Sequence, residues 1–393
     1  MPGGSRSFEM ARRLVAQGHS VDLITSRREP GIETDWFVTD EEGIRVHWLP
    51  VAYSNHMGFA QRIGAFLRFA VGSASKAASI KADVVFATST PLTIVLPGIF
   101  AAWRQRVPLV FEVRDMWPAV PIAMGMLRNR FLIAVAKWLE RLAYKRSRHI
   151  VALAPGMRDD IISTGIDSAK VSVIPNGCDL NIFGADLSLE VAELRNRYSW
   201  LKSRPLVVFA GTLGRANGVD YLVKVAEGMA RIDPEIRFVI IGDGAERQGI
   251  RFAAECSGVL DKSLFMFNAM PKIELAAWLA AADFTIGLFS GPRVLWKDAV
   301  QNKFFDALAA GKPIACNFSG FQSELALQHD VGLIIDSDDQ ELAAYQLYVK
   351  LRDFAWLSGV NQRAKKLAAG EFNRDLLAKK LEDVLIRAVC KVA

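Results

Sequence analysis

The residues best placed to do chemistry lie in the stretch Asp298–Pro313, DAVQNKFFDALAAGKP. Lys303 and Asp306 are three apart, a spacing that lets them share one helix face. Asp298 precedes Asp306 by eight residues, a little over two helical turns. One cation and two carboxylates at the mouth of a helix suit a sugar diphosphate. Lys303, beside Asn302 and the free N–H groups of a first turn, would take the phosphates. The carboxylates would take sugar hydroxyls. The helix that must hold them is legible: Asp298 reads as a cap with Gln301 completing a variant capping box. Phe304, Phe305, Leu308 and Ala309 form an apolar face, and Gly311 and Pro313 end the run. An ordinary capped helix with one ion pair has the same residues.

Two further turns could meet an anion. Gly211-Thr212-Leu213-Gly214-Arg215-Ala216-Asn217-Gly218 joins a strand to a helix, and its small residues let backbone approach a ligand closely. Arg215 could add a charge-assisted contact. Gly242-Asp243-Gly244-Ala245-Glu246 follows the next strand. Earlier in the chain, Glu112-Val113-Arg114-Asp115 sits at a strand end, where Asp115 could position or activate an acceptor hydroxyl. A structural Arg114–Asp115 pair is the alternative. The five histidines, His19, His47, His56, His149 and His329, show no metal-ligand spacing, so neither a protein-bound metal nor a cofactor is expected.

The elements around these turns alternate strand and helix. Strands are expected at Val21–Thr25, Arg45–Val51, Asp83–Ala87, Leu109–Val113, Ile150–Ala154 and Val171–Ile174. After a polar stretch near 184–204 the pattern restarts, with strands at Leu206–Ala210, Arg237–Ile241, Leu264–Phe267, Phe284–Leu288, Pro313–Asn317 and Gly332–Ile335. Such alternation argues for an α/β protein with two Rossmann-like domains and parallel doubly wound sheets. The expected division is 1–180 for an N-terminal, acceptor-binding domain and 181–374 for a C-terminal, nucleotide-sugar-binding one. The terminal helix at about 375–393 is expected to pack back on the first. Ligands in such sheets sit beyond the carboxyl ends of the strands, so facing sheets would place the site in a cleft.

The motif Asp298-x7-Asp306 followed by ALAAGKPI resembles the E-x7-E region of the retaining glycosyltransferases of family 4. The form NKFFDALAAGKP resembles the branch that builds bacterial surface polysaccharides, typified by N-acetyl-L-fucosamine transferases. FEVRDMWP with PIAMG is the other specific stretch, and the resemblance runs from about residue 3 to 375. It implies the GT-B fold and transfer of a sugar from a nucleotide diphosphate sugar, UDP-linked, to a lipid-linked or glycan acceptor in O-antigen or capsule synthesis. It implies donor contacts from Gly211, Gly214, Arg215, Asp243, Met270, Asp298, Asn302, Lys303, Asp306 and Glu324. Asp115, Lys303 and Asp306 are then the catalytic set, and Gly3, Gly4, Arg114 and Asp115 face the acceptor. Both family glutamates are aspartates here. Relatives read G-R-L-x-x-x-K-G at the first glycine turn, where this chain has Thr212 and Asn217 in place of the cations. Arg215 and Lys303 are therefore expected to carry the leaving diphosphate. A GT-B sugar-nucleotide epimerase and a non-catalytic GT-B subunit are the alternatives.

Composition bounds the rest. The chain has 393 residues, 51% hydrophobic and 23% charged, which suits a folded protein with room for two cores. Four scattered cysteines fit a reducing compartment. PGGSRSFEM at the start lacks the apolar core of a signal peptide, and Leu92–Trp103 is too short to cross a bilayer. Between Gly58 and Arg148 there are 14 basic and 4 acidic residues, interleaved with Phe59, Phe66, Phe69, Trp103, Phe131 and Trp138. This pattern suits an anionic membrane surface, and a solvated basic face is its plain alternative. No nucleic-acid motif accompanies it. The expected location is the cytoplasm, peripheral on the inner face of the membrane. One element is missing: a fold of this kind opens on a strand, but the chain opens on Pro2-Gly3-Gly4-Ser5 and a helix. Met1 is therefore expected to be an internal methionine; replacement of the strand by another segment, or a damaged domain, are the alternatives.

Overall fold

The computed structural model describes residues 6–27, 33–52, 57–89 and 91–390. Gly3 and Gly4 lie outside them. The chain forms two compact units, Met1–Pro175 with Asp375–Ala393, and Asn176–Arg374. Both are α/β with Rossmann-like parallel sheets.

In the second unit, β8 (Leu206–Ala210), β9 (Arg237–Ile241), β10 (Leu264–Phe267), β11 (Phe284–Gly287), β12 (Ile314–Cys316) and β13 (Gly332–Ile334) form one sheet. Its order is β10-β9-β8-β11-β12-β13, and every pairing is parallel. Side chains alternate between two cores, as the period of a strand requires. Leu206 and Val208 enter one core with Phe304, Phe305 and Leu308, while Val207 and Phe209 enter the other with Leu222 and Ala226. Burial on both faces explains why these strands read as unbroken apolar runs.

The first unit has two sheets. β1 (Asp22–Arg27), β2 (Phe37–Glu41) and β3 (Ile44–Pro50) form the order β1-β3-β2, with β1 parallel and β2 antiparallel to β3. β4 (Val85–Thr88), β5 (Leu109–Val113), β6 (His149–Ala152) and β7 (Val171–Val173) form a parallel sheet in chain order. β2 escapes the sequence reading because its residues FVTDE are short of apolar side chains and end in two carboxylates. The local signal is the two-residue turn Glu42-Gly43, both at positive φ (56° and 80°), which closes a hairpin onto β3. The stretch 184–204 likewise contains a helix, Ser188–Arg197. The last helix, Arg374–Cys390, sends Leu377, Leu381 and Val384 into a core with Met10, Val110 and Val151. Among the described residues no helix is long and apolar enough to cross a membrane.

Candidate functional site

In the second unit the two glycine turns pack backbone against backbone. Gly211 N donates to Ile241 O (3.0 Å), Leu213 N to Asp243 O (2.9 Å) and Glu246 N to Leu213 O (3.0 Å). A Cβ on Gly242 would lie 1.9 Å from Gly211 O, and one on Gly244 2.3 Å from Leu213 O. No other residue fits at either place. Arg247 was not foreseen. Its Nη1 donates to Gly242 O (2.6 Å) and Phe267 O (3.0 Å), tying this turn to the end of β10, three residues before half-buried Met270.

Lys303 stands in the first turn of the helix Asn302–Ala309 and reaches this double turn. Its Nζ is 3.3 Å from Asn217 Oδ1 and 4.0 Å from the centre of the Phe209 ring. A Cβ on Gly211 would be 3.3 Å from it. The ammonium is enclosed, and burial pushes its pKa down to about 7. Burial likewise raises the adjacent Cys316 thiol to about 12. Asn217 is itself held, Nδ2 donating to Thr212 O (2.8 Å). Lys303 thus occupies the mouth of the turn where the family pattern has a lysine at Asn217. Arg215, Asp243 and Glu324 are exposed, and Asn302 opens the helix, also exposed.

Two expectations about the helix need correction. Asp298 does not cap it. Asp298 ends a separate 3₁₀ helix, Arg293–Asp298, and is buried; the N-cap is Gln301, without a side-chain cap bond. The Gln301 amide is committed elsewhere, Nε2 donating to Leu288 O (2.7 Å), while its backbone exchanges two bonds with the buried Gln322 amide, each 2.8 Å. Lys303 and Asp306 also do not meet. The charges acting on Asp306 are Lys272, Arg374 and Asp179, none of them Lys303. Arg374 Nη1 (3.1 Å) and Lys272 Nζ (3.4 Å) both hold Asp179 Oδ2, and Arg374 Nη2 donates to Gly177 O. Burial raises the Asp306 pKa to about 7 against the pull of Lys272 and Arg374. The helix therefore carries its cation to the glycine turns and its carboxylate to the Asn176–Asp179 segment. Spacing alone cannot tell these apart, because three residues is 300° of rotation, not a full turn.

In the first unit, Glu112 is buried and fully engaged. Arg6 Nε donates to its Oε1 (2.8 Å) and Thr88 Oγ1 to its Oε2 (2.7 Å). It ties the sheet's carboxyl edge to the first helix and to the end of β4. Arg114 N donates to Ser89 Oγ (2.9 Å), and the Asp115 residue after it is exposed. The metal expectation takes no account of Asp336-Ser337-Asp338, a D-x-D triplet. There Asp336 Oδ1 accepts the backbone N–H groups of Asp338 and Asp339, which hold its pKa low in an exposed turn. Among the described residues no group of three metal-binding side chains is gathered.

Two family profiles match the chain, "Glycosyl transferase 4-like domain" over residues 3–177 and "Glycosyl transferases group 1" over 204–350. A GDP-mannose-dependent alpha-(1-6)-phosphatidylinositol monomannoside mannosyltransferase of Mycobacterium tuberculosis is 27% identical over 304 residues, 77% of this chain and 75% of that one. A UDP-Gal:alpha-D-GlcNAc-diphosphoundecaprenol alpha-1,3-galactosyltransferase of Escherichia coli is 26% identical over 317 residues, 79% and 76%. Among solved structures, sucrose-phosphate synthase of Thermosynechococcus elongatus superposes with a TM-score of 0.78 at 16% identity, covering 99% of this chain and 94% of that one. The chain belongs to family 4 of the glycosyltransferases, enzymes of the GT-B fold that use a nucleotide sugar as donor.

Proposed function

We propose that the protein is a retaining transferase that moves a hexosyl or N-acetylhexosaminyl group from a UDP-linked sugar to a lipid-linked acceptor, in the synthesis of a bacterial surface polysaccharide. The observation that carries the donor half is the enclosed Lys303 ammonium at the mouth of the Gly211–Gly218 turn. A half-buried cation beside a glycine turn is a stabiliser for a leaving diphosphate. The sugar–phosphate bond breaks first, with oxocarbenium character at the sugar carbon. The acceptor oxygen bonds to the same face, and its proton passes to the departing phosphate oxygen. Lys303 takes the phosphate charge, with Arg215 as the exposed second cation. Asp298 and Asp306 hold the sugar nucleotide, and Asp115 with Arg114 receives the acceptor.

The acceptor half rests on the first unit. The helix Arg130–Arg146 exposes Phe131 (73%), Val135 (43%) and Trp138 (59%) at helical spacing, flanked by exposed Arg130, Lys137 and Arg141. Trp103 (69%) and Phe100 (42%) extend the apolar exposure on the helix Val95–Gln105. Large exposed aromatics among cations suit the interface of an anionic membrane, and they support a reading in which the enzyme works on the cytoplasmic face. Both named relatives act on lipid-borne acceptors by their names.

A mass-spectrometric screen of UDP- and GDP-sugars against a polyprenyl-diphosphate sugar tests the reaction. A product one sugar heavier is expected with a UDP-sugar; altered donor without an acceptor would point to an epimerase. Flotation with acidic vesicles tests the surface. Binding at low salt should fall as salt screens exposed charge, and Phe131→Ala with Trp138→Ala should abolish it. No binding at low salt ends the membrane reading.

A further inference from the structure

At the amino ends of β9 and β10 lies a cavity of about 490 Å3, inside the range of roughly 300–1,000 Å3 usual for small-molecule sites. Arg237 opens β9 there, and Ser263 immediately precedes β10. The sheet is parallel, so this edge is opposite the glycine turns, which follow the carboxyl ends of β8 and β9. Three cations line the cavity, Arg231, Arg237 and Lys262, against one carboxylate, Glu227. Ser257 and Ser263 bring hydroxyls to the same lining.

Arg231 has an ordinary explanation. It stands in the last turn of the helix Asp220–Ile232, where a cation offsets the helix dipole. It also pairs with Glu227 (3.3 Å) and Glu341 (2.7 Å). Arg237 differs, because it is only 7% exposed and has no such pair. Its Nε donates to Trp200 O (3.0 Å) and its Nη1 to Pro234 O (2.6 Å), which fixes the plane of the guanidinium. Nη2 has no hydrogen-bond partner among the described residues. It is not sealed in the interior either, so it opens on the cavity that Arg237 lines. The neighbouring carboxylates are already taken, Glu235 by Arg204 (2.7 Å) and Asp233 by Arg352. Burial and the Arg204 charge together hold the Arg237 pKa below the ordinary arginine value. Lys262 is exposed and also has no ion pair among the described residues. A charge taken this far out of water normally has a bonded counter-charge, since desolvating it unpaired is costly. The structure assigns this cavity as a binding site for a small phosphorylated molecule, its phosphoryl group met by the Arg237 guanidinium and the Lys262 ammonium, with the two serine hydroxyls as further donors. A fixed guanidinium edge beside a mobile ammonium suits a tetrahedral dianion; a planar carboxylate would satisfy the fork and leave the ammonium over.

The test is calorimetry on the full chain with UDP at saturation, which keeps a nucleotide diphosphate at the donor turns. Inorganic phosphate and glucose 6-phosphate are then titrated separately. Binding of at least one is expected, and the tighter of the two identifies free phosphate or a sugar phosphate as the source. Lys262→Glu, at an exposed position, should weaken that binding about tenfold or more, and Arg237→Gln at least as much. Lys303→Ala should leave it unchanged. No binding of either probe at millimolar concentration, or equal affinity in Lys262→Glu and the parent, overturns the proposal. So does loss of the binding in Lys303→Ala, which would put the phosphate at the glycine turns.

Discussion

β8 and β4 are both strands of parallel sheets in their units, yet their surroundings differ. β8 is bonded to β9 on one side and β11 on the other, and four of its five residues are buried. Among the described residues β4 is bonded to β5 alone, and of its four residues only Ala87 is buried. Both strands are apolar and both belong to parallel sheets. What separates them is whether a neighbour satisfies the outer row of backbone groups. A parallel strand built for burial on both faces gains little from its side chains when that row is open. The second unit is thus expected to be the more rigid half, and it holds Lys303 and the glycine turns.

The largest expected effect follows directly. An unsatisfied buried backbone group costs about 1–3 kcal/mol, less where water reaches it. The first unit should therefore open before the second, by roughly 2–4 kcal/mol. Amide exchange in rising urea checks this: β1 and β4 should lose protection at lower urea than β8 and β9. A single coincident transition would break the comparison.

The next effect sharpens it from the rigid half. Lys303→Ala should lower turnover about 100-fold, the scale for loss of one transition-state contact. Asn217→Lys in that background should restore part of it, since Asn217 already lies 3.3 Å from the ammonium. Full activity of a folded Lys303→Ala enzyme would remove the diphosphate from this turn. First-unit changes such as Trp138→Ala should leave nucleotide diphosphate affinity unchanged.

A pH dependence comes third. With the ligand absent, Lys303 titrates at about 7. A bound diphosphate raises that value, so binding above pH 7 takes up a proton and binding below it does not. Affinity should fall by up to about tenfold per pH unit above 7. Calorimetry in buffers of different ionisation enthalpy reads the proton directly, and Lys303→Ala should abolish both the uptake and the slope.

The fold was legible because its strands are apolar runs bounded by turns, and their type survives errors at the ends. β2 was lost because a charged edge strand lacks that signal, and only the Glu42-Gly43 turn betrays it. The helix at 302–309 was legible from Phe304, Phe305 and Leu308, but not what its polar residues touch. Lys303 meets Asn217 across 86 positions of sequence, and Asp306 lies under the influence of Lys272 and Arg374. Such partners are set by tertiary packing, which no local spacing encodes. Arg247 and Gln322 were missed for the same reason: their bonds are to backbone carbonyls and amides, which any sequence supplies.

Asp306 gives the smallest effect and the cleanest sign. In the unfolded chain its carboxyl ionises near the ordinary aspartate value, about 3.9. In the folded chain burial raises it to about 7. The folded state therefore holds a proton that the unfolded state has lost over the window between the two values. Stability from this group is complete below about pH 4 and is lost as pH rises through 7. Asparagine carries no such titration. Asp306→Asn should thus gain on the parent as pH is raised from 4 to 8 and level off above. Urea melts at pH 4, 6 and 8 measure it. The same variant should lose turnover if the carboxylate holds the sugar nucleotide, so stability and activity would move in opposite directions. A Lys272→Ala change should steepen the parent's loss, because Lys272 is the cation that most favours the ionised carboxylate. If Asp306→Asn tracks the parent at every pH, the carboxylate is solvated rather than enclosed, and the separation of Lys303 and Asp306 into different surroundings loses its energetic support.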